Sequence, residues 1–205
     1  DSSTSRGLGD VYKRQGKEVV EGLEADYEVI RASRSGPDLK IDAFDLESVS
    51  DVFSSIGSFD GLVSCIGTAP FKPFDELSME DFASGLSTKC LSQLNLAKAA
   101  IPCLTENGSI TLTSGIIGDE PILGGAVAAA ANGALNMCVS ILAAEYAGKL
   151  RINIVSPSII ENSVEHYGML FDGFEPTSKE SIIQAYRRTI SAPISGRVLC
   201  QTRSL

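Results

Sequence analysis

One apolar, β-branched segment, residues 109–113, constrains the fold of this chain more than any other feature. It reads Ser-Ile-Thr-Leu-Thr and lies between Gly108 and the pair Ser114-Gly115. Such a run predicts a buried strand of a parallel sheet. Because ligands of open α/β sheets bind beyond the carboxyl ends of the strands, the hydroxyl of Ser114 is expected to face a ligand site.

Strand and helix patterns alternate along the chain, which predicts an α/β fold. The strand candidates are residues 28–32, 40–44, 61–65, 109–113, 151–155 and 196–199. The helix candidates are residues 46–56, 78–101, 125–146 and 178–189, after a first helix with Val19, Val20 and Leu23 on one face. Strands separated by helices predict right-handed crossovers and a Rossmann-like, doubly wound parallel sheet with helices on both faces.

Composition argues against several classes of function. A net charge of −9 and a pI near 4.6 disfavour nucleic acid or an anionic membrane as partner. No apolar run is expected to reach the roughly 20 residues that span a bilayer, and no signal peptide is visible, so we expect a cytoplasmic protein. Five scattered cysteines and a single histidine, His166, predict reduced thiols and no histidine-based metal site.

The first residues do not match the pattern of the rest. Residues 1–15 are polar, show no alternation and resemble the translated read-through of a sequencing adapter. Such segments are excluded from fold reasoning. We therefore expect a non-native segment over residues 1–15, one domain over residues 16–199, and a tail over residues 200–205 whose origin stays open. The first strand and the glycine-rich loop of the fold are then replaced or missing.

Three segments resemble the short-chain dehydrogenase/reductase family. Residues 62–67 (Leu-Val-Ser-Cys-Ile-Gly) stand where the family has its Asn-Asn-Ala-Gly turn, and residues 108–114 match the strand that ends in its catalytic serine. Residues 151–158 (Arg-Ile-Asn-Ile-Val-Ser-Pro-Ser) match its Arg-Ile/Val-Asn-x-Val-x-Pro-Gly strand, with serine in place of the glycine. The resemblance covers residues 16–199 and implies a dinucleotide-binding oxidoreductase that acts on a small carbonyl or alcohol.

The end of the second strand indicates which dinucleotide is used. A carboxylate there would bind the ribose of NAD(H), whereas an arginine accommodates the 2′-phosphate of NADP(H). Residues 33–35 read Ser-Arg-Ser, so Ser33 and Arg34 predict NADP(H) over NAD(H), the alternative being a solvated loop arginine. The resemblance places further contacts at Gly16, Asp42, Ala43, Cys65, Ile66, Gly67, Pro157, Ser158 and Ile160. Only Gly16 remains of the phosphate-binding glycines, so this chain is expected to bind dinucleotide poorly.

The family's Tyr-x-x-x-Lys pair is absent. Family members use the serine to polarise a carbonyl, a tyrosine to transfer the proton, and a lysine to lower the pKa of that tyrosine. By family spacing from Ser114, these positions hold Val127 and Ala131, or Ala128 and Asn132 if the register shifts by one. Neither register supplies a phenol or an amine.

Other residues are candidates for the missing proton donor. The resemblance places the family's helix asparagine at Lys89, which either orients water or a carbonyl or is an ordinary solvated lysine. The segment after Pro157 corresponds to the family's mobile substrate loop. Its His166 and Tyr167 either donate a proton or only pack and bind substrate. The candidate catalytic residues are thus Ser114, Lys89, His166 and Tyr167.

Three functions stay open at this point. The first is an NADP(H)-dependent oxidoreductase, impaired in this chain if its start is foreign. The second is a catalytically inactive dinucleotide-binding or sensing protein on the same fold. The third is an oligomeric interaction protein that uses the alanine-rich helix over residues 125–146. In the family this helix and the one that carries Lys89 form a dimer interface, so we expect a homodimer or homotetramer.

Overall fold

A computed structural model describes residues 9–36, 38–161 and 164–201. The strands are β1 (Ala32–Ser33), β2 (Leu39–Lys40), β3 (Phe59–Val63), β4 (Leu104–Thr113), β5 (Arg151–Pro157) and β6 (Val198–Gln201). The helices are α1 (Gly9–Leu23), α2 (Leu46–Ile56), α3 (Met79–Gly85), α4 (Ser92–Ala100), α5 (Ala126–Glu145), α6 (Val164–Tyr167) and α7 (Lys179–Ser191). The main sheet has the order β3-β4-β5-β6, all parallel, and β1 and β2 form a separate parallel pair. The predicted α/β fold with a parallel sheet is confirmed.

Different helices cover the two faces of the main sheet. On one face α4 and α5 pack on alternate strand residues such as Leu112 and Ile154. On the other face α1 and α7 enclose Val155 and Tyr186. Because successive strand residues point to opposite faces, the side chain of Ser114 is directed toward the face of α4 and α5, and that of Thr113 toward α7.

Side-chain caps explain where two of the helices begin. The Asp45 carboxylate accepts a hydrogen bond from the Ser48 N–H at 3.1 Å, and Gly57, at φ 83°, ends α2. Ser78 and Asp81 form a capping box before α3. Both local signals in the sequence therefore set the boundaries that the structure shows.

The two strands nearest the N-terminus are much shorter than predicted. The sequence predicts strands over residues 28–32 and 40–44, whereas the structure has only Ala32–Ser33 and Leu39–Lys40. In the described part of the chain no backbone pairing joins this pair to the main sheet. An isolated pair of strands is marginally stable, which accounts for the short length of β1 and β2. The missing first strand and glycine-rich loop stay predictions.

Helix α1 crosses the boundary predicted at residue 16. It begins at Gly9, and Gln15 is buried, with its Nε2 donating to the Tyr186 hydroxyl at 2.9 Å. Residues 9–15 therefore share one helix with the residues that follow. The foreign origin of residues 1–15 and of the tail stays a prediction, and residues 1–8 and 202–205 lie outside the described residues.

Helix α5 lies within the predicted range 125–146 and is largely apolar. Its 20 residues meet the length and composition of a membrane span, contrary to the expectation that no apolar run comes close. The core helix of a water-soluble protein meets the same criteria. Leu135, Val139 and Ala143 are buried against the main sheet, so α5 is also a core helix of this fold.

The helix predicted over residues 78–101 is interrupted. After α3 ends at Gly85, the segment Leu86–Leu91 forms a π-helical turn, and α4 then continues. Turns of this kind are rare in proteins, and those that occur are often found at functional sites. This one carries Lys89.

Candidate functional site

The carboxyl end of β4 places Ser114 in the protein interior. Its N–H donates to the Val155 carbonyl at 3.1 Å, and its side chain is completely buried. The Ser114 Oγ has no hydrogen-bond partner among the described residues, and the same is true of the buried hydroxyls of Ser64 and Ser158. Because nearly all buried polar atoms are paired, three unpaired hydroxyls near the strand ends indicate a place for a polar ligand or water.

Lys89 meets Ser114 from the π turn. Its side chain is 1% exposed, and its Nζ donates to the Ser114 main-chain carbonyl at 3.2 Å. Burial lowers the pKa of Lys89 well below its usual value, against a smaller opposing effect of Cys65. The interpretation of Lys89 as a solvated lysine is wrong. Lys89 shares a helical face with Gln93, one turn later, and with Ala97, two turns later. Both of these residues are also buried.

The turn after β3 makes room for Lys89. Gly67 has a φ of 109°, and a Cβ there would come within 2.6 Å of the Lys89 Cα and 2.7 Å of the Thr88 carbonyl oxygen. The sequence predicts that Gly67 allows a ligand to approach the backbone. In the structure the closest approach is made by the π turn itself, so Gly67 is needed to seat that turn.

Helix α5 fills the positions of the family's tyrosine and lysine with side chains that cannot transfer a proton. Val127 and Ala131 are completely buried, and Ala128 and Asn132 nearly so. Val127 and Ala128 belong to an apolar cluster with Ile117. In either register, therefore, these two positions hold no acid or base.

A buried tyrosine that is not among the predicted site residues, Tyr186 of α7, lies on the other face of the sheet. Its hydroxyl lies 2.6 Å from the Thr113 Oγ and accepts hydrogen bonds from Gln15 Nε2 at 2.9 Å and the Cys65 Sγ at 3.3 Å. Burial raises the pKa of the Cys65 thiol, so this group favours the uncharged form. Since the side chains of Thr113 and Ser114 point to opposite faces, Tyr186 belongs to the α7 side and does not replace the missing phenol.

The candidates for the adenine half of the cofactor lie on an exposed loop. The Ser33 Oγ accepts from the Gly36 N–H at 2.9 Å and so holds its own turn. Arg34 is exposed beside it and forms no salt bridge among the described residues. The Asp42 carboxylate likewise accepts from the Phe44 N–H at 3.1 Å.

The remaining cofactor candidates lie closer to the main sheet. A Cβ on Gly16 would be 3.6 Å from the Cys65 Cβ, so α1 meets the turn after β3 at this point. Ala43 and Ile66 pack against one apolar cluster. Three further candidates are buried at the end of β5 and just beyond it: Pro157, Ser158 and Ile160.

The residues present fit one half of a dinucleotide better than the other. The unpaired hydroxyls of Ser114 and Ser158 suit the polar nicotinamide end. Phosphates are held by free N–H groups at the start of a helix. Gly16, however, lies inside α1, where backbone N–H groups already bond within the helix. The described backbone around Gly16 therefore does not form a phosphate cradle.

The segment after β5 contributes an apolar cover. Phe171 and Ile159 pack with Ile117 in one buried cluster. The backbone of His166 and Tyr167 belongs to α6, and the side chains of both candidates lie outside the described residues. No group of three or more metal-ligating side chains occurs among the residues that the structure describes.

Comparison with known proteins bears on the whole domain. The family model described as Enoyl-(Acyl carrier protein) reductase matches residues 10–189. A chloroplastic tropinone reductase homologue of Arabidopsis thaliana is 29% identical over 172 residues, which cover 76% of this chain and 53% of that protein. The chain thus spans about half the length of the curated relatives it matches.

Solved structures share the same architecture. The protein lin1944 from Listeria innocua has a TM-score of 0.86 at 35% identity, covering 91% of this chain and 93% of that one. A small-chain dehydrogenase in complex with NADPH has a TM-score of 0.77 at 24% identity, covering 91% and 90%, and this likeness shows the fold alone. By its parallel sheet and the match over residues 10–189, the chain belongs to the short-chain dehydrogenase/reductase family.

Proposed function

We propose that this protein is an NADP(H)-dependent oxidoreductase of a small carbonyl compound or alcohol, with Ser114 and Lys89 at the reacting group. The observation that carries the proposal is the buried pair at the end of β4. The Ser114 hydroxyl has no partner among the described residues, and Lys89 Nζ lies 3.2 Å from the Ser114 carbonyl oxygen. A buried lysine lowers stability, so its presence beside an unpaired serine favours a chemical role.

Each side chain has a distinct task in this proposal. When bound, the dinucleotide supplies or accepts the hydride. The Ser114 hydroxyl donates a hydrogen bond to the substrate oxygen and polarises the carbonyl. Protonated Lys89 gives a proton to the developing alkoxide, and the neutral amine takes it back in the alcohol direction. A pKa lowered by burial brings Lys89 nearer to the range in which both forms are available.

The test is NADPH consumption in a broad panel of small aldehydes and ketones, at NADPH concentrations high enough to offset weak binding. Weak binding is expected because Gly16 lies within α1 rather than at its start. Oxidation of NADPH that depends on a carbonyl compound would support the proposal. No consumption with any member of the panel would contradict it.

Arg34 is the basis for proposing NADP(H). Its exposed guanidinium forms no salt bridge in the described residues, whereas the neighbouring Arg31 pairs with Asp38. Replacing Arg34 by alanine is expected to weaken NADPH binding about tenfold or more, because charge-assisted hydrogen bonds to the 2′-phosphate are lost. NADH binding should stay unchanged. Fluorescence titration with both cofactors measures this, and Arg188→Ala on α7 is the charge-matched control. Equal losses for NADPH and NADH would contradict the assignment.

A second candidate function is dinucleotide binding without catalysis. The observation in its favour is that Val127 and Ala131 completely fill the positions of the family's proton-transfer pair. Thermal stabilisation by NADPH without its oxidation would support this alternative, since a ligand that binds only the folded state raises stability.

Two other proton donors stay as proposals. His166 and Tyr167 lie in the segment that follows β5, where a donor could reach a substrate. Separate replacement by phenylalanine distinguishes them from Lys89. A loss of turnover in either variant with unchanged cofactor binding would move the proton-donor role from Lys89 to that residue.

We also propose that the protein forms a homodimer or homotetramer through α4 and α5. Met137 is 65% exposed and Ile141 is 53% exposed, one turn apart on α5, and Leu91 is exposed just before α4. An apolar strip of this kind favours association. Sedimentation at micromolar concentration should give a dimer or larger, and Met137→Lys should shift it to the monomer. A monomeric parent chain would contradict the proposal.

A further inference from the structure

One buried side chain, Gln93 of α4, bonds directly to the backbone on both sides of the candidate site. Its Nε2 donates to the Thr113 carbonyl at 2.8 Å and to the Lys89 carbonyl at 2.8 Å. Its Oε1 accepts from the Thr113 N–H at 2.9 Å. The side chain has no exposed surface. A single amide thus joins the last residue of β4 to the π turn.

The position of this amide explains how β4 can extend beyond the end of its neighbour β3. The Ser64 N–H bonds to the Thr111 carbonyl, so Thr111 faces β3. In a parallel strand the N–H and C=O of one residue point to the same side, and alternate residues face the same neighbour. Thr113 therefore also faces the β3 side, but β3 has already ended at Val63. Gln93 supplies the hydrogen-bond partners that β3 would give to Thr113 if it were longer. The chain after β3 can therefore leave the sheet at this point.

The same amide also satisfies a carbonyl at the interruption of the helix. A π turn displaces the regular pattern of backbone hydrogen bonds. At this turn the Lys89 carbonyl accepts a hydrogen bond from the Gln93 Nε2 at 2.8 Å. A buried carbonyl is stabilised by a hydrogen-bond partner, so this bond favours the π-helical form of the turn.

We propose that Gln93 is a positioning residue that fixes the position of Lys89 relative to Ser114. It fixes the residue before Ser114 through two bonds to Thr113, and it fixes Lys89 through its carbonyl. Gln93 does not touch the reacting atoms in this proposal. The inference depends on the proposed roles of Ser114 and Lys89.

The chain offers a matched control in Asn153 of β5. This amide is equally buried and makes the same kind of two-sided contact, donating to the Ile194 carbonyl at 2.9 Å and accepting from the Arg197 N–H at 3.1 Å. These two bonds anchor the loop before β6, on the far side of β5 from β4. Gln93→Met and Asn153→Leu each replace the amide with an apolar side chain of comparable size, so the hydrogen bonds are lost and most of the packing is kept.

The test measures stability and two properties specific to the site in both variants. The pH at which Lys89 titrates is followed by its 13Cε resonance, assigned by its loss in Lys89→Met, and exchange of the Thr113 N–H is followed alongside. We expect both variants to lose stability. Only Gln93→Met should shift the Lys89 titration, speed exchange at Thr113, and lower kcat about 10- to 100-fold with little change in KM.

Two results would overturn the role of Gln93: an unchanged Lys89 titration in Gln93→Met, or the same shift in Asn153→Leu. The NMR readouts need no substrate, so their outcome is separate from the failure of the proposed reaction. Should Gln93→Met fail to fold, Gln93→Asn keeps an uncharged amide and shortens the side chain by one methylene, which breaks the simultaneous bonds to Thr113 and Lys89. It then replaces Gln93→Met in the same comparison with Asn153→Leu.

Discussion

Lys89→Met is expected to unfold at a higher urea concentration than the parent chain and to transfer hydride far more slowly. Methionine has a similar length and no charge, and it removes an ammonium group from a site with 1% exposure. We expect the free energy of unfolding to rise by about 1–3 kcal/mol, the usual cost of burying a polar group. A gain in stability with a loss of activity is the signature of a residue retained for function.

The pH dependence of stability provides a second test of the same variant. Burial lowers the pKa of Lys89 in the folded chain, whereas the unfolded lysine titrates near 10.4. Between these two values the unfolded chain binds more protons, so stability rises with pH across that window. The rise should disappear in Lys89→Met. Lys98→Met, an exposed lysine of α4, should keep it. If Lys89→Met lost stability, or if its stability kept the same dependence on pH, the claim that buried Lys89 destabilises the fold would be contradicted.

Arg151→Ala should be strongly destabilising. The Arg151 guanidinium donates to three carbonyls at the end of α7, those of Thr189 at 3.1 Å, Ala192 at 2.8 Å and Ile190 at 2.6 Å. The Thr189 and Ile190 carbonyls lie in the last turn of α7, where the helix itself supplies no N–H partner. We expect a loss of about 3–5 kcal/mol, given about 1.5–3 kcal/mol for each hydrogen bond to a charged group and incomplete additivity.

Urea unfolding of Arg151→Ala, Arg151→Lys and Arg188→Ala measures this contribution. Lysine carries the charge but lacks the planar fork, so Arg151→Lys should lose most of the stability too. Arg188 is exposed on α7 and should change stability by less than about 1 kcal/mol. Equal stability of Arg151→Ala and Arg188→Ala would show that the hydrogen bonds from Arg151 to these carbonyls contribute nothing to stability.

The main sheet could be predicted from the sequence because its strands are buried on both faces. Residues 109–113 and 151–155 are both rich in β-branched side chains, and both lie within observed strands, β4 and β5. The strands predicted over residues 28–32 and 40–44 reduce to two residues each, since they pair only with one another in the described chain. Their apolar pattern does not encode that lack of a neighbour.

The burial of Lys89 could have been inferred, whereas the role of Tyr186 could not. Lys89 and Gln93 lie four residues apart on one helical face, and the small Ala97, which follows at the same spacing, indicates close packing of that face. The position of the π turn has no comparable signal in the sequence. Tyr186 bonds to Gln15 across 171 residues and to Thr113 across 73 residues, and such contacts depend on the tertiary fold alone.

The rate of NADPH oxidation in Lys89→Met, compared with Lys98→Met under the same saturating conditions, tests the role of Lys89 most directly. The carbonyl compound is the one that the parent chain reduces fastest. If Lys89 transfers the proton beside Ser114, its removal should lower kcat about 100-fold or more, the usual contribution of general acid–base catalysis, and Lys98→Met should keep the parent rate. Equal rates in the two variants would contradict a catalytic role for Lys89.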